Sequence, residues 1–148
     1  MSSENIFVPM QTVLAAIRDK VSNARYAASL CARLHCPGVS PPREFAAVAA
    51  AQRADMAIVV VGDKSTSKML DRRVHDRSTL TLPGVQEELV KAVVATGTPT
   101  VVVYTNGRPV SSPWIAEHAD AILEAWFPGE GCVADVLFGD RNPGSRCR

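Results

Sequence analysis

Polar and apolar positions alternate in blocks along this chain, and the blocks themselves alternate between two periods. Met56-Ala57-Ile58-Val59-Val60-Val61 is a continuous apolar run that stops at Gly62. Pro99-Thr100-Val101-Val102-Val103-Tyr104 is a second strand pattern, and Asp120-Ala121-Ile122-Leu123-Glu124-Ala125 reads as a third strand. A strand without polar alternation is one covered on both faces, as in parallel sheets between helix layers. The intervening stretches carry helical spacing instead. Met10, Val13, Leu14 and Ile17 predict a helix over 10–20 that ends near Ser22-Asn23. An alanine-rich segment from Glu44 to about Arg53 predicts another, with Phe45 and Val48 on its buried side.

Pro83 marks a third helix start, where its missing N–H costs nothing. Val85, Leu89, Ala92 and Val93 form its expected inward stripe, and Gly97 suits a left-handed cap after it. A short helix around Trp114–Glu117 and a last one over roughly 133–138 complete the pattern. Residues 30–43, with Pro37, Gly38, Pro41 and Pro42, read as an irregular connection, and 63–81 as a polar loop. Strand–helix alternation of this kind predicts an α/β fold, a three-layer α/β/α sandwich around a mainly parallel sheet. The last nine residues, from Asp140, carry no core-forming pattern.

Composition narrows the picture only slightly. The 148 residues suit one domain, with 47% hydrophobic and 21% charged residues. A net charge of +1 supplies no electrostatic reason for a nucleic-acid or membrane partner. The densest basic stretch, Lys64, Lys68, Arg72, Arg73 and Arg77, reads as a solvated loop. No apolar run reaches the length of a membrane span, and the N-terminus lacks the basic start and apolar run of an export signal, so a cytoplasmic location is the default expectation. Cys31, Cys36, Cys132 and Cys147 lack a second ligand pair at metal-binding spacing, so free thiols and no metal or cofactor are expected, with a disulfide left open. The segment Gly62-Asp63-Lys64-Ser65-Thr66-Ser67-Lys68 follows a strand but lacks the second glycine of a phosphate-binding loop.

Several blocks, in order, resemble one family. They are Val8-Pro9-Met10-Gln11-Thr12, Ala54-Asp55 with the strand to Gly62, and Leu80-Thr81-Leu82-Pro83-Gly84 with Gln86-Glu87-Glu88-Leu89. Asn106-Gly107-Arg108-Pro109, then Ala121 to Trp126-Phe127-Pro128-Gly129, then Ala134 to Gly139 with Asn142-Pro143 follow colinearly. Together they resemble the second, C-terminal domain of family 3 glycoside hydrolases, enzymes of the β-glucosidase and β-xylosidase type, over residues 1–148. The resemblance implies hydrolysis of β-linked glucosides or xylosides. It also implies that the nucleophilic aspartate belongs to a (β/α)8 barrel domain that this sequence does not contain, and that a closing strand is missing at the C-terminal end.

Where the family usually reads Glu-x-Glu-x-x-Asp-Arg, this chain has Asp71-Arg72-Arg73-Val74-His75-Asp76-Arg77. A retaining glycosidase needs two carboxyl groups about 5–5.5 Å apart, one attacking and one donating a proton. An arginine at 73 cannot donate, since its guanidinium keeps its proton. Asp71 is therefore the acid/base candidate, with a plain loop carboxylate as the alternative. Its side chain is one methylene shorter than glutamate. Asp76 and Arg77 keep the family's pair, either shaping a loop over the sugar or forming an ion pair that fixes the loop. His75 is a proton carrier by residue type alone. Trp126 and Phe127 follow a strand at the end where α/β sheets place ligand crevices, either to stack on a sugar or to cap the core. A catalytically inactive remnant with at most weak sugar binding is the competing expectation.

Overall fold

A computed structural model describes residues 12–23, 42–62, 79–126, 128 and 131–144, with the backbone alone for 42–45. Two compact units form, one from Met1–Ala24 with Pro128–Arg148 and one from Arg25–Phe127.

In the first unit, α1 spans Val13–Lys20 and α5 spans Cys132–Leu137. Thr12 starts α1 because its hydroxyl accepts the Ala15 N–H at 3.2 Å, satisfying one of the donors a helix start leaves open. Ala16 is buried on α1, while Val13, Leu14 and Ile17 are half-buried, and Ser22-Asn23 form the turn after it. Val133 and Ala134 are buried on α5. Lys20 joins the two ends of the sequence in this unit. Its ammonium pairs with Asp135 at 2.9 Å and with Asp140, and Arg141 reaches Asp135 from a third side at 3.3 Å. The hydrogen bond from Lys20 holds the Asp135 carboxyl below its usual range, and bonds to Asp140 and then Asp135 raise Lys20.

The second unit is the sheet. α2 spans Pro42–Ala51, two residues earlier than the alanine pattern predicts, because proline is accommodated as the first helical residue. β1 (Ala57–Val61), α3 (Gln86–Val94), β2 (Thr100–Tyr104), α4 (Pro113–His118) and β3 (Ala121–Glu124) follow. The strands run in the order β1-β2-β3, all parallel. Val59 aligns with Val102 and Ile122, and Val61 with Tyr104 and Glu124. The architecture is thus α/β with an open parallel sheet, as the alternation of periods requires.

One face of that sheet holds the core. Val59, Val61, Val102 and Tyr104 pack with Val90 and Val93 of α3 and Ile115 of α4. On the opposite face Val103 of β2 is fully buried, whereas its β1 neighbour Val60 is 42% exposed, so the central strand alone is covered on both sides as the absence of polar alternation predicts. The stripe of α3 differs from the expected one. Its buried residues are Gln86, Val90 and Val93, while Val85, Leu89 and Ala92 are only half-buried. The helix is rotated so that a glutamine faces inward, which is tolerated because its carboxamide finds backbone partners there. Gly97 adopts the expected left-handed conformation, at φ 77°. Nearby, the Thr98 hydroxyl donates to the Ala51 carbonyl at 2.9 Å, tying the end of α2 to the start of β2.

Candidate functional site

In an open parallel sheet, ligand crevices lie beyond the carboxyl ends of the strands. Here those ends are Gly62 after β1, Thr105-Asn106 after β2 and Ala125-Trp126 after β3. The first two are in direct contact. The Thr105 N–H donates to Val61 O at 2.8 Å, extending the ladder one step beyond the strands. A β-carbon on Gly62 would sit 1.9 Å from the Thr105 carbonyl oxygen, so glycine alone fits this approach.

Gln86 secures the same point from the helix side. Its Oε1 accepts the Gly62 N–H at 2.7 Å, and its Nε2 donates to Gly62 O at 2.8 Å and to Pro83 O at 3.1 Å. All three bonds are made by a side chain that is buried, so no polar group is left unsatisfied. Sequence reasoning missed this residue by placing the inward stripe one position away. The signal was present as a long polar residue three positions after Pro83.

After β2, the chain turns at the expected Asn106-Gly107-Arg108-Pro109. Asn106 is fully buried, and its Nδ2 donates to the Arg108 carbonyl at 2.6 Å, closing the turn through its own side chain. Its Oδ1 has no hydrogen-bond partner among the described residues. Beside it, burial pushes the Tyr104 phenol above its ordinary 10.0. The Ser112 hydroxyl works the other way, and the charges of Glu124 and Glu87 add to the rise.

Trp126 closes the edge. It is 45% exposed and sits at φ 53°, the one non-glycine residue with positive φ among the described residues. A bulky side chain seldom takes that conformation, which costs roughly 1–2 kcal/mol. Two bonds support the turn. The Ala125 N–H donates to Tyr104 O at 2.9 Å, and the Trp126 N–H donates to Glu124 Oε1 at 3.2 Å. The result is a large aromatic face offered to solvent rather than folded onto the core. At α4, half-buried Trp114 packs against the core and stacks on His118 with ring centroids 4.1 Å apart, and Lys91 of α3 lies 5.3 Å from the Trp114 ring. Lys91 is also paired with Glu87 at 2.7 Å.

Of the expected site residues, Trp126 is therefore at the carboxyl edge of the sheet. Asp71, His75, Asp76 and Arg77 lie outside the described residues, as does Phe127. Gly62 and Thr79 are the described residues nearest that segment in sequence. Cys132 is a free, exposed thiol, while the other three cysteines lie outside the described residues. No helix among the described residues is long and apolar enough to cross a membrane.

Known proteins place the chain in a family. The chain is 45% identical over 103 residues to a beta-xylosidase of Formosa agariphila, covering 68% of this chain and 14% of that protein. It is equally similar to a periplasmic beta-glucosidase of Salmonella typhimurium, covering 13% of that protein. The structure superposes on a beta-glucosidase from Listeria innocua solved with isofagomine at a TM-score of 0.76 and 30% identity, over 90% of this chain and 18% of that one. A GH3 beta-glucosidase from Bifidobacterium adolescentis gives 0.75 and 31%, over 88% and 19%. The chain thus spans less than a fifth of the length of these relatives. The sequence pattern of the glycosyl hydrolase family 3 C-terminal domain matches residues 2–147, and the chain belongs to that family.

Proposed function

We propose that this domain forms part of a glycoside hydrolase that cleaves β-linked glucosides or xylosides, and that it supplies the loop side of a site whose nucleophile comes from a family 3 barrel domain. Trp126 carries the reading: an exposed indole held in a costly backbone conformation where the sheet offers a ligand edge. An aromatic face of this kind stacks on the apolar face of a pyranose ring. Relatives named as beta-xylosidase and beta-glucosidase support the substrate class. In this reading Asp71 gives its proton to the departing glycosidic oxygen and then, as the carboxylate, takes one from the water that releases the sugar from the nucleophile, tasks that a carboxylic acid with a raised pKa performs. Asp76 and Arg77 shape the loop over the sugar. No cofactor enters this chemistry.

Hydrolysis of chromogenic β-glucosides and β-xylosides tests the proposal. The chain alone should show no turnover, and the chain combined with a family 3 barrel domain should show it. Robust turnover by the chain alone would place the nucleophile here and refute the division of labour.

Arg73 favours a second reading, since an arginine at that place cannot replace a proton-donating glutamate. A catalytically inactive domain would still bind glucose or cellobiose weakly through Trp126. The two readings part in one assay: sugar-dependent tryptophan fluorescence with no turnover in the combined assembly selects the inactive domain.

A further inference from the structure

Two successive N–H groups close the chain after β3, and they are held in different ways. The Ala125 N–H donates to a main-chain oxygen, that of Tyr104, and continues the ladder one step past the strand. The Trp126 N–H donates instead to a side chain, the Glu124 carboxylate two residues back. Glu124 is half-buried and aligned with Tyr104 and Val61, so the parallel register fixes its place at the end of the sheet. Asparagine and aspartate stabilise turns by bonding the backbone two residues on. Glutamate does the same here over a longer reach, with a charged acceptor that strengthens the bond.

This bond sits where the backbone is most costly. Trp126 has φ 53°, and relaxing it to an ordinary −63° would swing its Cα–Cβ bond by roughly 115° about the N–Cα axis, relative to Ala125. The indole would leave its present place at the sheet edge. A hydrogen bond to a charged group is of the same order as the cost of the left-handed conformation. The carboxylate is therefore strong enough to hold the turn against its strain.

We infer that Glu124 is a positioning residue for sugar binding, which holds Trp126 in the left-handed turn that presents its indole to a pyranose ring. This rests on the reading above, in which Trp126 stacks on the sugar. Glu124 acts through the Trp126 backbone and touches no reacting atom, so its contribution is to affinity and not to bond cleavage.

The experiment uses the full chain as wild type, Glu124→Leu and Glu124→Gln. Leucine removes the acceptor, whereas glutamine keeps an acceptor oxygen without the charge. Amide hydrogen exchange on the chain alone reads the turn. In E124L, protection at Trp126 should fall about three- to tenfold, the shift expected of one hydrogen bond. Ala125, held by Tyr104 O, should stay protected and show that the strand end is intact. Titration with glucose, followed by tryptophan fluorescence, reads the consequence. Apparent affinity falls in proportion to the population of the presenting geometry, so the E124L Kd should rise about three- to tenfold. E124Q should recover most of both losses. With a family 3 barrel domain supplied, E124L should raise KM for a chromogenic β-glucoside by a similar factor at nearly constant kcat.

An E124L chain that binds glucose as the wild type does would overturn the role and leave the stacking reading standing. An E124Q loss as deep as that of E124L would also overturn it, because the charge itself would then be meeting the sugar. A fall in kcat at constant KM would do the same. A wild-type chain whose fluorescence ignores glucose would refute the stacking reading and this role with it, while the exchange data still decide whether Glu124 holds the turn.

Discussion

Substituting Gly62 by alanine should destabilise this protein more than any other glycine replacement among the described residues. The added β-carbon would lie 1.9 Å from the carbonyl oxygen of Thr105, 2.6 Å from its carbonyl carbon and 3.0 Å from its nitrogen. All three are main-chain atoms, so no side chain can swing away. Ordinary contact begins near 3.4 Å, so the two chain segments would have to part by about 1.5 Å (3.4 less 1.9). That movement breaks the bond from the Thr105 N–H to Val61 O, now 2.8 Å. It also strains the two bonds between Gly62 and Gln86. Overpacking costs about 1–3 kcal/mol and a lost hydrogen bond about 1, for a total of roughly 2–4 kcal/mol.

Against a typical stability of about 5–15 kcal/mol, that is a large fraction. In a chain of this size it corresponds to a fall in Tm of roughly 4–16 °C. Thermal and urea unfolding followed by far-UV circular dichroism would measure it. Gly97→Ala is the control, because Gly97 has φ 77° but nothing within 4 Å of an added β-carbon. It should cost only the backbone term, about 1–2 kcal/mol. If Gly62→Ala melts no lower than Gly97→Ala, the close approach of the two strand ends is not what holds this edge together.

Four other outcomes are expected. Ile115→Ala, at a fully buried position in the core, should cost about 2–5 kcal/mol in urea unfolding. Trp126→Ala should leave stability nearly unchanged, since the side chain is exposed, while removing any glucose-induced fluorescence change. The protein has two tryptophans, so the remaining signal from Trp114 serves as the internal reference. The phenol of Tyr104 is held above 10.0 chiefly by burial, so the folded state keeps its proton where the unfolded chain has lost it. Stability is therefore full below that pH and declines as pH rises from it through the folded value, and Tyr104→Phe should flatten the decline in alkaline urea titrations. The opposite sign holds for Asp135, whose carboxyl lies below 3.8: its contribution is present above that pH and fades as pH falls through the folded value. Lys20→Met should remove this acid-limb contribution.

What the sequence disclosed, and what it withheld, follows from the kind of interaction behind each feature. The central strand is legible because burial on both faces leaves no room for polar positions, as Val102 on one side and Val103 on the other show. Gly97 is legible because a left-handed cap selects glycine by sterics within a few residues. Gln86 defeats the same kind of reasoning. Hydrophobic periodicity assigns a glutamine to the solvent, and only a backbone partner 24 residues away reverses that assignment. Gly62 is similar, since its requirement comes from Thr105 across the sheet rather than from its own neighbours. For Trp126 the location was legible from the end of β3, but the sign of φ was not. That sign depends on Tyr104 and Glu124 receiving the two successive N–H groups of the turn. The withheld features share one property: each is a polar or steric contact made through the main chain at the carboxyl edge of the sheet. A hydrophobic pattern carries no information about such contacts. Their concentration at this one edge is therefore independent of the pattern that specified the fold, and it is the edge at which open parallel sheets in general place their ligand crevices.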